Sequence, residues 1–527
     1  MPARWRQPSG GLVALTGAGL LAGLLAAGCT RPPPARQQPG AHPGAAAATH
    51  IDVPAGSAGV DARAENARAG YPGWRITWPG QPQEIEGYTD HASALPGTMV
   101  RLFVSTTAAS FRVRALRFGW YGGTLARLVW TSAPIPGTRQ PAAVVAAHGM
   151  VVAPWRPALA LPTGGWPPGS YLLRLDASSG AQQYVPLVIR SPSVAGRVVL
   201  IQPTTTYQAY NLWGGYDLYQ GPHHNSALRA RVVSFDRPYQ REDGAADFFA
   251  EEQPLLSYAE RLGLPLAYIS SIDLDLDPHV LDGARAVVSE AHDEYWSRAM
   301  RAVLTGARDR GVNLAFIGAN EIYRRIRLGS SPLVPDRIEV NYRIPREDPL
   351  YGIDNALVTA NWPDPPAADP ESSLTGQVYA CASPRAPLVV TDPRGWIWAG
   401  TGARPGMSLP DLIGKEFDTV DLSEPTPRPI QILASSPQTC GGRPVSADGT
   451  YYVAASGAGV LNVGTEGWSC GLPTVAMVTN RCLTTSPPAA EVRVIERATR
   501  NILDTFARGP AGRVYPARDF LTGQVSH

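Results

Sequence analysis

The sequence lacks several features that would assign a function class directly. Lys and Arg form no block and the net charge is only +2, which argues against nucleic acid as a partner. No Cys-x-x-Cys pair occurs, so the cysteine spacing does not suit a zinc site. No Gly-x-Ser-x-Gly elbow follows any of the four apolar strand runs described below, and there is no His-Glu-x-x-His pair. The sequence therefore offers little support for a serine hydrolase of the α/β type or a zincin. With only 9 histidines in 527 residues, a metal centre would have to draw on oxygen ligands, tyrosinate and carboxylate. Such hard, anionic donors suit ferric iron better than zinc. Beyond residue 28, no apolar run approaches the length of a membrane span.

The N-terminus reads as a targeting segment. Arg4 and Arg6 precede a short apolar run from Gly11 to Gly28, which fits a secretory signal better than a transmembrane helix. Its end, Leu24-Leu25-Ala26-Ala27-Gly28-Cys29, resembles the lipobox of bacterial lipoproteins, with Ala26 where Leu is usual. The resemblance implies a signal peptide over 1–29, a lipid on Cys29 and a body held at a membrane surface outside the cytoplasm. An ordinary signal peptide with a chance cysteine is the rival. Residues 30–61, rich in Pro, Ala and Gly, predict a solvated tether. Cys381, Cys440, Cys470 and Cys482 then predict two disulfides, with three pairings open.

Apolar residues make up 44% of the chain and charged residues 17%, an ordinary globular balance; 53 Gly and 51 Pro indicate many turns. Over 62–193, short alternating segments such as Met99-Val104, Phe111-Phe118 and Gln183-Ile189 predict an immunoglobulin-like β-sandwich. Over 194–520 the pattern changes. Continuous apolar runs at Arg197-Gln202, Leu266-Ser270, Ala286-Ser289 and Asn313-Ile317 alternate with helical patterns at Asp247-Leu262 and Tyr295-Arg310. That order predicts a multidomain protein whose second part is an α/β, doubly wound parallel sheet of the amidotransferase or flavodoxin kind. Residues 330–480 read as loop and β elaboration, with a long loop at 345–376, and Glu491-Ala507 as a closing helix.

In open parallel sheets, ligands bind beyond the carboxyl ends of the strands. The four strand tails carry Tyr207, Tyr210, Asn211 and Tyr219; Ser270 to Asp273; His292, Asp293 and Glu294; and Asn320 with Glu321. Each has a plain structural reading as well. The tyrosines could plug the core or stack on sugars, His292-x-Glu294 could cap a helix, and Asn320 could serve a turn. Their convergence on one crevice is what nominates a site.

Several of these segments also resemble a known family. Ala209-Tyr210-Asn211-x-x-Gly214-Gly215 with Tyr219, Ser234 to Tyr239, and His292-x-Glu294-Tyr295-Trp296 are similar to the large subunit of N,N-dimethylformamidase and its relatives. Val104-Ser105-Thr106 and Arg117 to Gly123 resemble that family's sandwich domain, and the likeness spans roughly 80–480. The resemblance implies a mononuclear ferric iron held by two tyrosines and a glutamate, hydrolysing a small amide. It makes Glu294 the carboxylate ligand, Tyr210 the first tyrosine and Tyr219 the second, with Tyr207 and Tyr268 as rivals. His292 and Asn320 become the catalytic pair, as proton shuttle and as donor to a developing oxyanion. A small partner subunit or self-association is also implied. The competing expectation is a non-catalytic, surface-anchored lipoprotein that binds carbohydrate or other envelope material.

Overall fold

Alternation between apolar and polar residues over 85–189 produces two antiparallel sheets. In the computed structural model, which describes residues 60–382, 385–477, 482 and 488–521, one sheet consists of Ile85–Thr89, Met99–Thr106 and Pro157–Pro162. The other runs Ser93–Ala94, Gln182–Ile189, Gly169–Ala177, Ser110–Phe118 and Ala126–Thr131. The expected signal peptide, Cys29 and the tether as far as residue 59 lie outside the described residues. Val100, Leu102, Val113, Leu173, Val185 and Leu187 fill the space between the two sheets.

The larger sheet is apolar on its second face as well. Leu116, Phe118, Leu172, Tyr184 and Val188 point away from the sandwich core and pack with Phe248, Phe249, Leu255 and Leu256. The outward face was expected to be polar, but the following domain covers part of it. Arg117 accordingly becomes fully buried. It donates from Nη2 to Glu260 Oε1 at 2.6 Å, from Nη1 to the Tyr121 hydroxyl at 2.8 Å and from Nε to the Pro168 carbonyl at 3.0 Å.

Beyond the sandwich lies a seven-stranded sheet in which Leu266–Ser270, Val198–Gln202, Ala286–Ala291, Asn313–Gly318 and Gly459–Asn462 are neighbours in that order and all parallel. Arg443–Val453 and Ile430–Cys440 continue it antiparallel. Part of the region read as elaboration is therefore sheet. The fifth parallel strand is only four residues long, too brief to stand out as an apolar run. A further mixed sheet joins Val232–Ser234, Ile338–Val340, Arg324–Gly329, Tyr295–Ser297 and Ala360–Asn361. The described residues are β-rich, with a sandwich-bearing multidomain organisation and few helices.

Two helical expectations are corrected. Asp247-Leu262 is broken into Phe248–Glu251 and Gln253–Leu262, because Pro254 has no N–H to donate and is accommodated only in a first turn. Tyr295-Arg310 begins as a strand: Tyr295–Ser297 pairs in parallel with Arg324–Ile326, and the helix runs Arg298–Asp309 behind Ser297, whose hydroxyl accepts from Met300 N at 3.1 Å. The closing helix is Ala489–Phe506, and 345–376 is mostly irregular apart from short pieces such as Ser372–Thr375. Of the three cysteine pairings, the structure has Cys381–Cys440 and Cys470–Cys482. Among the described residues, no helix is long and apolar enough to cross a membrane.

The buried Arg117–Glu260 pair ties the sandwich to the helix Gln253–Leu262. Arg117→Ala should lower the unfolding free energy by about 3–5 kcal/mol, because it strands a buried carboxylate. Arg117→Met with Glu260→Leu should restore most of the loss, and denaturant titration of the three chains measures both effects. Equal stability of Arg117→Ala and the parent would refute this role.

Candidate functional site

The tail of each relevant parallel strand is held by specific local chemistry. After Val198–Gln202, the short helix Thr204–Ala209 delivers Tyr210 at its end. The chain then turns through Trp213–Gly215 and returns at Asp217, whose carboxylate accepts from the backbone N of Tyr219 at 2.8 Å and of Gln220 at 2.7 Å. That turn aims Tyr219 back toward Tyr210. After Ala286–Ala291, Glu294 N and Tyr295 N donate to Thr206 Oγ1 at 3.0 and 3.3 Å, locking the third tail to the first. The third and fourth tails also touch closely: a Cβ on Gly318 would lie 2.0 Å from the Ala291 carbonyl oxygen, so only glycine fits there.

The result is a tight cluster of oxygen atoms. The Tyr210 hydroxyl is 2.6 Å from the Tyr219 hydroxyl and donates to Glu294 Oε2 at 2.6 Å. The Tyr219 hydroxyl lies 2.9 Å from the same oxygen and 3.2 Å from Oε1, and the Tyr295 hydroxyl donates to that of Tyr219 at 2.9 Å. Glu294 is 1% exposed, and Arg324 Nε donates to its Oε1 at 3.0 Å. The parallel pairing of Tyr295 with Arg324 explains the contact, because it sets the arginine beside the residue before Tyr295. Burial first, and then the Glu294 charge, push the Tyr210 and Tyr219 phenols up, so both keep their protons in this arrangement.

A second group adjoins the first. His292 Nε2 lies 3.5 Å from Glu294 Oε2, 3.2 Å from Glu416 Oε2 and 4.0 Å from Glu466 Oε1. His292, Glu416 and Glu466 each offer a ligand atom within 4.8 Å of the others. Asn320 Nδ2 is 3.3 Å from His292 Nε2 and donates to Glu416 Oε2 at 2.8 Å, while its Oδ1 is buried with no partner among the described residues. In this amide orientation the open atom of Asn320 is an acceptor, and the donor expected for an oxyanion is engaged by Glu416. Behind this group, Ser289 Oγ donates to Glu321 Oε2 at 2.9 Å, and burial pushes the Asp293 carboxyl up to about 7 and the Asp418 carboxyl likewise to about 7.

All five site residues expected from the sequence, Tyr210, Tyr219, His292, Glu294 and Asn320, thus meet in one place. The rivals lie elsewhere. Tyr207 donates to Glu252 Oε1 at 2.5 Å, and Tyr268 is hydrogen-bonded to Glu260 at the sandwich contact. The second tail is also absent from the cluster, since Asp273 closes the capping box of Ser271–Leu276 and bonds Ser93 Oγ at 2.6 Å. His292-x-Glu294 caps no helix, because Ser297 fills that position. Nor do the tyrosines form an exposed stacking platform: Tyr207 is buried, and Tyr210 and Tyr219 are half-buried against Glu294.

Sequence reasoning missed Arg324, Glu416 and Glu466. Glu466 follows the fifth parallel strand, so the strand-tail rule would have found it had Gly459–Asn462 been recognised. Glu416 lies on Glu416–Thr419, which pairs antiparallel with Val378–Ala382. No local pattern marks it. The fifth tail also contains Gly467-Trp468-Ser469-Cys470-Gly471, which matches the nucleophile-elbow pattern on spacing. Ser469 is nevertheless 1% exposed, its Oγ has no hydrogen-bond partner among the described residues, and Cys470 is in a disulfide. Among the described residues no base reaches it, so the geometry gives no support to a serine hydrolase.

The model of the N,N-dimethylformamidase beta subunit-like, C-terminal family matches residues 112–482. The chain belongs to this family. The matched span of this dimethylformamidase-like chain includes every residue of the two clusters. No curated protein matches the sequence. Among solved structures, a Paenibacillus sp. cycloisomaltooligosaccharide glucanotransferase complexed with cycloisomaltoheptaose is similar at 12% identity and a TM-score of 0.14, over 35% of this chain and 27% of that one. The chain thus spans about a quarter of that enzyme's length, and a likeness this slight carries no argument.

Near the site, the buried Glu252 carboxyl is pushed up to about 8 by burial, from an ordinary value of 4.5, although Tyr207, Gln202 and Ser170 all donate to it. Below pH 4.5 folded and unfolded chains both hold this proton, so it makes no difference to stability. Between 4.5 and about 8 the folded chain keeps a proton that the unfolded chain releases, so stability falls as pH rises, and above 8 the loss is complete. Glu252→Gln removes this titration. Its melting temperature relative to the parent should climb across that window and then level off, as thermal unfolding at pH 5 and pH 8.5 would reveal. Parallel curves would disprove it.

Proposed function

We propose that the chain is a metal-dependent hydrolase of small amides, working outside the cytoplasm from a lipid anchor at Cys29. The reading rests chiefly on one observation: two phenols and a buried carboxylate converge within hydrogen-bond distance beyond the carboxyl ends of parallel strands. In this reading the five parallel strands are the core of a doubly wound sheet, and the cluster occupies its ligand crevice. The donor set fits ferric iron, since all three groups present oxygen and would be anionic once deprotonated. Tyr210, Tyr219 and Glu294 would hold the ion, which supplies Lewis acidity when bound.

The remaining roles belong to the chain's own groups. Arg324 orients the Glu294 carboxylate through its Nε donation to Oε1 at 3.0 Å. Tyr295 fixes the Tyr219 hydroxyl at 2.9 Å. His292 Nε2, between Glu294 and Glu416, takes the proton of the water that adds to the amide carbonyl and delivers it to the leaving amine nitrogen, so that C–O forms as C–N breaks. Asn320 Oδ1, buried without a partner among the described residues, accepts from the N–H of a primary or secondary amide substrate and so positions the scissile C–N bond. The near-complete burial of Glu294 keeps competing water from its carboxylate and strengthens each of these interactions. The family's name supports the amide as substrate class, and the two disulfides support export to an oxidising compartment.

The test is metal analysis with a visible absorption spectrum on the exported chain. Stoichiometric iron with a phenolate charge-transfer band is expected, together with turnover of small formamides. Glu294→Gln should lose both iron and band, and Tyr210→Phe and Tyr219→Phe should weaken the band. Protein that stays colourless and metal-free after iron is supplied, or an active and fully loaded Glu294→Gln, would overturn the proposal.

A further inference from the structure

A cleft of about 630 Å³ opens on the sandwich side of the turn that follows Tyr210. It is bounded by the segment around Glu86, by 139–143, by Trp155, and by the turns at 212–215 and 239–243. Its volume falls within the range of about 300–1,000 Å³ usual for small-molecule sites. The oxygen cluster is not part of its wall, and nothing in the proposed amide chemistry uses it.

The lining is chemically distinctive. Trp155, Trp213 and Tyr239 supply aromatic surface, six glutamines supply planar amides, and Glu86 and Asp243 supply carboxyl groups, against the single guanidinium of Arg139. Two carboxyl groups against one cation disfavour a phosphate or other anion, and the density of amides disfavours a lipid tail. Neutral sugars match both halves of this surface: their C–H faces pack on aromatic rings, and their vicinal hydroxyls pair with amides, which donate and accept, and with carboxylates, which accept. Gln183 Oε1 is a buried acceptor with no partner among the described residues, the kind of atom a ligand hydroxyl would satisfy.

The principal aromatic is also held in place beforehand. The Trp213 side chain and the half-buried Glu86 carboxyl both line the cleft. The Trp213 backbone N donates to Asn211 Oδ1 at 3.2 Å, its carbonyl accepts from Arg237 Nη1 at 3.0 Å, and its ring meets Trp155 edge-on at 5.9 Å. A platform ordered in advance loses little entropy when it binds. We propose that this cleft is a saccharide-binding site, separate from the oxygen cluster, that takes a neutral oligosaccharide through Trp213, Tyr239 and the surrounding amides.

The test is titration of the full chain with hexasaccharides of glucose, N-acetylglucosamine and mannose, followed by tryptophan fluorescence and calorimetry. At least one should bind saturably with a Kd at or below about 1 mM, and Trp213→Ala should weaken it by about tenfold or more. Should Trp213→Ala fail to fold, Glu86→Gln decides, with a loss of about threefold expected because a charged acceptor for the sugar hydroxyls is removed from the cleft. Glu294→Gln should bind the sugar as the parent does. The proposal is overturned if none of the three sugars binds saturably up to that concentration, or if both cleft variants bind like the parent. A proline-rich decapeptide that occupies the cleft more tightly than any sugar would equally overturn it.

Discussion

Burying the carboxylate of Glu294 is the constraint from which the rest of the site follows. An isolated carboxylate taken out of water costs several kcal/mol unless its lone pairs are met. Arg324 meets one oxygen, and the phenols of Tyr210 and Tyr219 meet the other. The two phenols come from one strand tail and Arg324 from the mixed sheet, so satisfying one buried group requires these two segments and that of Glu294 to be held in register. Thr206, Asp217 and the close passage of Gly318 past Ala291 are the local devices that hold them. The same low-dielectric pocket keeps the phenols protonated, and a cation placed among them would invert that preference.

The sandwich domain is part of this arrangement. Its larger sheet is apolar on both faces, and the second face takes up Phe248, Phe249 and the helix Gln253–Leu262. The Arg117–Glu260 ion pair is buried at the same contact. This helix and the sheet beneath it back the first strand tail, from which Tyr207 reaches Glu252. The sandwich also contributes the segment around Glu86 to the cleft beside Trp213. One face of the Tyr210–Tyr219 loop therefore serves the oxygen cluster, and its turn serves the cleft.

Much of this was legible in the sequence because the signals are local. The apolar runs at 198–202, 266–270, 286–291 and 313–318 fold as strands, since a strand covered on both faces needs uninterrupted apolar residues. The rule that ligands lie beyond their carboxyl ends then brings Tyr210, His292, Glu294 and Asn320 together without further information. The helix expected from Tyr295 failed because periodicity does not reveal a three-residue strand paired across space. Gly459–Asn462 escaped notice because four residues are too few to form a pattern, and Glu466 was missed with it.

The sequence alone determined the chemistry available: no block of Lys or Arg, four cysteines beyond Cys29, and strand tails bearing Tyr, His, Glu and Asn. Residue type and short-range spacing carry that information. Only the tertiary structure decided which tyrosines meet Glu294, which cysteines pair, that Arg324 holds Glu294, and that Glu416 and Glu466 flank His292. Those contacts join residues up to 174 positions apart, as between His292 and Glu466. Such contacts exist because strand order and sheet closure set distances that no local pattern encodes. The elbow-like Gly467 to Gly471 illustrates the point from the other side, since its spacing is right and its serine is sealed in the core.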